Sequence, residues 1–201
     1  MIKNIIFDLG NVLLKFQPSE FLLRFTDDVE YIDQFVPKIF RSTVWMELDR
    51  GIISIEDAKN TYISQYPKEE NFLTLFFNHW MEMLTPINKN IEILKAVRDL
   101  GYKTYILSNF IKEVYTFIEK KYNIFTLFDG KIISGFEKTI KPEKAIYLEL
   151  LNRYHLNPEE SLFIDDVLFF LKPAKKLGMK TIWNKPETDL REELRKYEII
   201  I

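Results

Sequence analysis

Apolar and polar residues alternate along the chain in two different rhythms. Short apolar runs at residues 2–8, 102–108, 161–165 and 180–183 each close on a turn-forming or polar residue. They are too short for stable helices and rich in Ile, Leu, Val and aromatic side chains, so they predict buried strands. A weaker strand is predicted at residues 131–133. Between the strands the spacing becomes helical. Ile87, Ile91, Leu94 and Val97 share one face, with Gly101 as the stop, and Ile111, Val114, Tyr115, Ile118 and Tyr122 repeat the pattern. A third helix is predicted from Pro142, placed in its first turn, through Tyr147, Leu148 and Leu151 to Tyr154. Asn157-Pro158 reads as a cap followed by a first-turn proline.

This alternation predicts an α/β fold, a parallel sheet with helices on both faces. Residues 16–86 break the rhythm. They offer no convincing strand, but Ile32, Phe35, Val36, Ile39 and Phe40 form one apolar stripe, and Phe72, Phe76, Trp80 and Met83 another. Ser54 and Asp57 have the spacing of a capping box. The expected organisation is a core of residues 1–15 and 87–201 with a helical insertion at residues 16–86.

Composition narrows the function. The chain has 201 residues, 47% of them hydrophobic and 29% charged, enough to fill a core. Its 30 acidic residues nearly balance 28 basic ones, which argues against a nucleic-acid partner, since phosphate neutralisation needs a cationic surplus. The absence of cysteine removes disulfides, thiolate metal sites and thiol nucleophiles. No apolar run approaches the roughly 20 residues of a membrane span, and MIKNIIFDLG lacks the pattern of a secretory leader, so a cytoplasmic protein is expected. With two histidines and no HExxH, GxSxG, GxGxxG or GxxxxGK[ST] pattern, chemistry must rest on carboxylates, hydroxyls and lysines.

In open parallel sheets ligands bind beyond the carboxyl ends of the strands. Asp8, Ser108, Asp165 and Asp166 all stand at such ends. Asp8, in FDLGNVL, has the chemistry of a nucleophile, a metal ligand or both, although a turn role would explain it singly. Two adjacent carboxylates at Asp165 and Asp166 repel one another unless a cation compensates. Ser108, in YKTYILSN, can donate to an anion. Lys141, in IKPEKAIY, precedes a helix whose free amides face the same way.

Taken together, FDLGNVL, ILSN, KPEKAIY and FIDD, in this order, resemble the four motifs of the haloacid dehalogenase-like hydrolase superfamily. The helical insertion then resembles that superfamily's α-helical cap on a Rossmann-like core. WMELDRGIISIEDA and LNPEES are similar to segments of the branch containing sugar-1-phosphate phosphatases and the phosphatase domain of soluble epoxide hydrolase. The resemblance implies a Mg²⁺-dependent phosphatase acting on a small phosphorylated metabolite, sugar phosphates among the candidates. It implies Asp8 as nucleophile forming an aspartyl-phosphate. Asp8, the Gly10 carbonyl and Asp166 would be the metal ligands, with Asp165 reaching the ion through water. Lys141 would balance charge, and Ser108, Asn109 and the amides of Gly10 and Asn11 would hold phosphate.

Two departures stand out. Where the family's phosphatases carry a second aspartate as general acid/base, this chain has Gly10, which implies a preference for good leaving groups such as anomeric or aryl phosphates. In VLFFLKPAKKLGM, Phe170 stands where the family often has Asn, and Pro173 predicts that the following helix starts near Phe170 or later. Val167, Leu168, Phe169 and Phe170 are expected chiefly in the core, with a substrate-facing wall or a partner contact as alternatives. Arg24, Arg41 and Arg50 are candidate readers of substrate polar groups, and His79 is expected to be packed in the cap. A dehalogenase-type attack on carbon and a catalytically decayed binding module are the competing readings.

Overall fold

A computed structural model describes all 201 residues. The first strand, β1 (Asn4–Phe7), is buried along its whole length. It leads into a helical segment: α1 (Pro18–Leu22), α2 (Val29–Phe40), α3 (Thr43–Asp49), α4 (Ile55–Gln65) and α5 (Glu70–His79). The chain then alternates through α6 (Asn88–Asp99), β2 (Lys103–Ser108), α7 (Lys112–Lys121), β3 (Gly130–Ile133), α8 (Ser134–Glu137) and α9 (Lys144–Arg153). It closes with β4 (Ser161–Asp165), α10 (Leu168–Lys176), β5 (Lys180–Trp183) and α11 (Leu190–Arg195).

All five strands are parallel, in the order β3-β2-β1-β4-β5. β1 is therefore central, and the chain crosses from one side of it to the other between β3 and β4. Phe7 lies beside Ile106 and Ile164, so the carboxyl ends of β1, β2 and β4 come out together. Alternation of side chains divides the sheet into two faces. Ile5, Phe7, Ile106, Leu162 and Ile164 pack with α6, α7 and α11. Ile6, Tyr105, Leu107 and Phe163 pack with α9 and α10. Helices cover both faces, as the strand–helix rhythm predicts.

Buried residues of the 18–83 helices, including Phe35, Trp45, Phe76 and Trp80, belong to the same apolar cluster as the first face of the sheet. The two chain segments joining these helices to the sheet run side by side. The Lys15 amide donates to Thr85 O at 2.8 Å and the Ile87 amide to Leu13 O at 2.8 Å. Ser54 and Asp57 form a complete capping box at the start of α4, and Asn157 caps the short 3₁₀ turn Pro158–Glu160.

Three details differ from the sequence expectations. Helix α9 begins at Lys144, and Pro142 precedes it across a cis Lys141-Pro142 peptide, in a turn closed by the Glu143 amide on Ile140 O. Helix α10 begins at Leu168 and contains Pro173. The proline tolerates this position because the carbonyl it leaves without a donor belongs to Phe169, on the solvent side of the first turn. Finally, residues 167–170 are not core. Val167, Leu168 and Phe169 are 37%, 44% and 56% exposed, and Phe170 is half-buried.

Candidate active site

The register of the central strands delivers the site. Asp8 follows β1 directly and its amide still pairs with Ile164 O at 2.9 Å, so the strand geometry extends to the carboxylate. Asp165 ends β4 and Asp166 begins the next turn. Carboxylate oxygens of Asp8, Asp165 and Asp166 lie within 4.8 Å of one another. Lys141, 1% exposed, inserts between two of them, with Nζ 2.9 Å from Asp8 Oδ1 and 2.6 Å from Asp165 Oδ2. The Phe163 and Phe170 rings flank the ammonium at 5.5 Å and 5.0 Å.

Burial disfavours charge on Lys141, but the Asp165 and Asp8 carboxylates outweigh it and its pKa is pushed up to about 12. The aspartates respond oppositely. Burial raises the Asp165 carboxyl and the charge of Asp8 adds to this, with Lys141 offsetting part. Asp166 is raised by burial and then by Asp8. One ammonium thus faces three carboxylates, and a hard divalent cation suits the surplus of oxygen ligands. The free valences fit such an ion. Asp8 Oδ1 is buried without a well-aligned hydrogen bond, and Asp166 is held only through Oδ2 by Asn11 Nδ2 at 3.1 Å. Asp165 has both oxygens engaged, by Lys141 and by the Val167 amide at 2.7 Å.

The turn after β1 is tight. Asn11 has φ +50°, and its amide donates to Leu14 O at 2.7 Å. Its side chain accepts from the Phe16 amide at 3.0 Å while donating one Nδ2 hydrogen to Asp166, which leaves the second Nδ2 hydrogen free. The Gly10 amide donates to no protein acceptor. The Asn109 side chain bonds both the amide and the carbonyl of Lys141, at 2.7 Å and 3.0 Å, with one N–H to spare. It fixes the backbone that carries the lysine. Ser108, 1% exposed, ends β2 just before Asn109 at the same strand mouth.

A cavity of about 260 Å³ opens over Asp8, bounded by Gly10, Lys141 and Asp166 below. Phe40, Trp45 and Trp80 of the helical segment lie above, with Phe110 and Phe170 of the core at the sides. Val167 and Phe170 therefore form part of the cavity wall. None of Arg24, Arg41, Arg50 or His79 lines this cavity. Arg24 pairs with Glu82 at 2.9 Å, and half-exposed His79 meets the same carboxylate at 2.8 Å. Arg50 makes a bidentate contact with Glu143 at 2.8 Å and 2.5 Å, joining the helical segment to the start of α9.

Sequence reasoning missed Asp49, the last residue of α3, which lines the cavity. Burial raises its pKa to about 7; Lys141 opposes the shift, Asp8 adds to it, and a hydrogen bond from the Trp45 side chain opposes it again. A signal for it was present. Asp49 follows Trp45 by four residues, so it is a carboxylate in phase with the buried stripe Val44, Trp45 and Leu48.

Comparison with known proteins agrees with this architecture. The family model for haloacid dehalogenase-like hydrolases matches residues 2–178, and the chain belongs to that family. It is accordingly a hydrolase. A sesquiterpene phosphatase of Aspergillus oryzae is 24% identical over 88% of this chain and 87% of its own length. A D-ribitol-5-phosphate phosphatase of Bacteroides thetaiotaomicron is 23% identical over 96% of this chain and 97% of its own. Three other curated relatives are longer proteins, of whose length the match spans 36% to 48%. Among solved structures, a HAD family enzyme from Bacteroides thetaiotaomicron, in complex with magnesium and inorganic phosphate, superimposes with a TM-score of 0.75. That pair is 21% identical over 97% of this chain and 100% of the other, a likeness of fold.

Proposed function

We propose that this protein is a magnesium-dependent phosphomonoesterase that works through an aspartyl-phosphate on Asp8. The observation that carries the reading is the meeting of Asp8, Lys141 and Asp166 at the floor of one closed-in cavity. Two relatives with phosphatase names covering nearly the whole chain support the same chemistry. Asp8 and Asp166, with the Gly10 carbonyl, would hold Mg²⁺, which when bound offsets the negative charge of the phosphoryl group.

The chain's own residues do the rest. The outer oxygen of Asp8 attacks phosphorus in line, the phosphorus–oxygen bond to the alcohol breaks, and water then cleaves the acyl phosphate. Lys141 holds the nucleophile's other oxygen and balances its charge as the anion approaches. Asp165 and Asn109 position that lysine from either side. The Gly10 amide supplies a donor for a phosphate oxygen. In this reading residues 1–15 and 87–201 are the catalytic core and residues 16–86 the cap that closes over it.

The test is hydrolysis of 4-nitrophenyl phosphate. Turnover is expected with Mg²⁺, is expected to vanish with EDTA, and is expected to fall at least about a thousandfold in Asp8→Asn, the scale of losing a nucleophile. Activity surviving the substitution, or halide release from a 2-haloacid in EDTA, would overturn the reading.

A further inference from the structure

The cavity wall says more about the substrate than the floor does. We propose that the substrate is a phosphate monoester whose alcohol is mainly hydrocarbon, aromatic or prenyl, rather than a sugar or polyol. This rests on the phosphomonoesterase reading and narrows it. Of 16 residues lining the cavity, nine are hydrophobic, among them Phe16, Phe40, Trp45, Trp80, Phe110 and Phe170.

Few polar groups of the wall stay open to a ligand. Asn11 and Asn109 each have the amide oxygen and one N–H engaged. Lys141 is shared by Asp8 and Asp165. What remains above the phosphate floor is the second N–H of each asparagine, the Asp49 carboxyl and the Trp80 indole N–H, which is buried with no partner. A polyol would bring several hydroxyls into this space, and those left without partners oppose binding. A hydrocarbon group meets ring faces instead.

The discriminating experiment compares benzyl phosphate with ribitol 5-phosphate, both esters of primary alcohols, using the intact protein and Mg²⁺. The expected result is a preference in kcat/KM for benzyl phosphate of about tenfold or more. Inhibition of 4-nitrophenyl phosphate hydrolysis should follow the same order, with benzylphosphonate binding more tightly than a polyhydroxylated alkylphosphonate. Equal or better use of the polyol compounds overturns the substrate class while leaving the phosphatase reading intact. Failure to hydrolyse even 4-nitrophenyl phosphate overturns both.

A separate observation carries a second inference, about Gly10. The geometry points to Asp49 as the general acid and base that the core lacks at Gly10. The backbone around Asp49 is tied to the core at three successive residues. Ser134 Oγ donates to Asp49 O at 2.6 Å, Arg50 grips Glu143, and Gly51 O accepts from Lys138 Nζ. Gly51 adopts φ +70° and packs against the Gly135 carbonyl, too closely for a Cβ. This places a carboxyl from the cap in the same small cavity as Asp8. Its tendency to hold a proton near neutrality suits a donor.

As Asp8 bonds to phosphorus and the ester bond breaks, the leaving alkoxide oxygen takes the Asp49 proton. The Asp49 carboxylate then accepts a proton from the water that attacks the acyl phosphate, which restores both groups. Asp49→Asn should lower kcat/KM for benzyl phosphate by about a hundredfold. For 4-nitrophenyl phosphate, whose leaving group needs no proton, kcat/KM should fall much less. An equal fall for both substrates, or none for either, overturns the assignment; circular dichroism of the isosteric variant separates the first outcome from misfolding.

Discussion

Lys141 is a fully buried ammonium, and its place depends on the two carboxylates beside it. Removing one partner of a buried ion pair costs about 3–5 kcal/mol, because the remaining charges stay behind without compensation. Lys141→Met is therefore expected to lower the unfolding free energy of the metal-free protein by about 3 kcal/mol, measured by urea denaturation. An unchanged midpoint would mean that the buried cluster contributes no net stability. At this scale much of the site was legible. Asp8, Ser108, Asp165 and Asp166 end apolar runs, and a run that stops on a polar residue marks a strand mouth. What one sequence could not convey is which polar atoms are already used. Asn11 and Asn109 stand in the motifs, and in the structure one N–H of each amide is taken, by Asp166 and by the Lys141 backbone. Asp49 stayed hidden for the opposite reason. A carboxylate at a helix end reads as solvated until the partner surface is known.

Among the elements, strands were the easiest to read and helix starts the hardest. Parallel strands buried on both faces need runs rich in apolar residues, and the runs at residues 2–8, 102–108, 161–165 and 180–183 each contain one. Helix starts depend on where the preceding turn lets go. Pro142 has the fixed φ of a first-turn residue, but the turn through Ile140 and Glu143 keeps it outside α9. Pro173 was read as a barrier and instead sits inside α10, where only one exposed carbonyl loses its donor. Capping was more transparent. In α4 the Ser54 hydroxyl accepts from the Asp57 amide at 3.0 Å and the Asp57 carboxylate from the Ser54 amide at 3.1 Å. Ser54→Ala is expected to cost about 1 kcal/mol in thermal or urea unfolding, with Ser54→Asp retaining most of it.

For the whole molecule, the order β3-β2-β1-β4-β5 brings residues far apart in the chain to one edge, and the insertion after β1 roofs that edge. The strand–helix rhythm was enough to foresee the layout. The contacts fastening roof to floor were not foreseeable, because they join residues some ninety positions apart. Arg50 and Glu143 are the main charged link. Hydrogen bonding from Arg50 holds the Glu143 carboxyl down at about 2, well below its ordinary range. A depressed carboxyl favours the folded state above its unfolded pKa, and that contribution fades as pH falls toward the folded value. A double-mutant cycle with Arg50→Ala and Glu143→Ala should give a coupling of about 1 kcal/mol at pH 7, modest because the pair is partly solvated. The coupling should shrink steadily between pH 4.5 and 2.

The roofing helices and the first face of the sheet bury their side chains in one unbroken apolar cluster. Beside that cluster the two parts are fastened by polar contacts, Arg50 to Glu143, Ser134 to Asp49 O and Lys138 to Gly51 O. Trp45, Phe76 and Trp80 pack on one another and on Phe40, all within the roof, so the roof carries its own aromatic core with it.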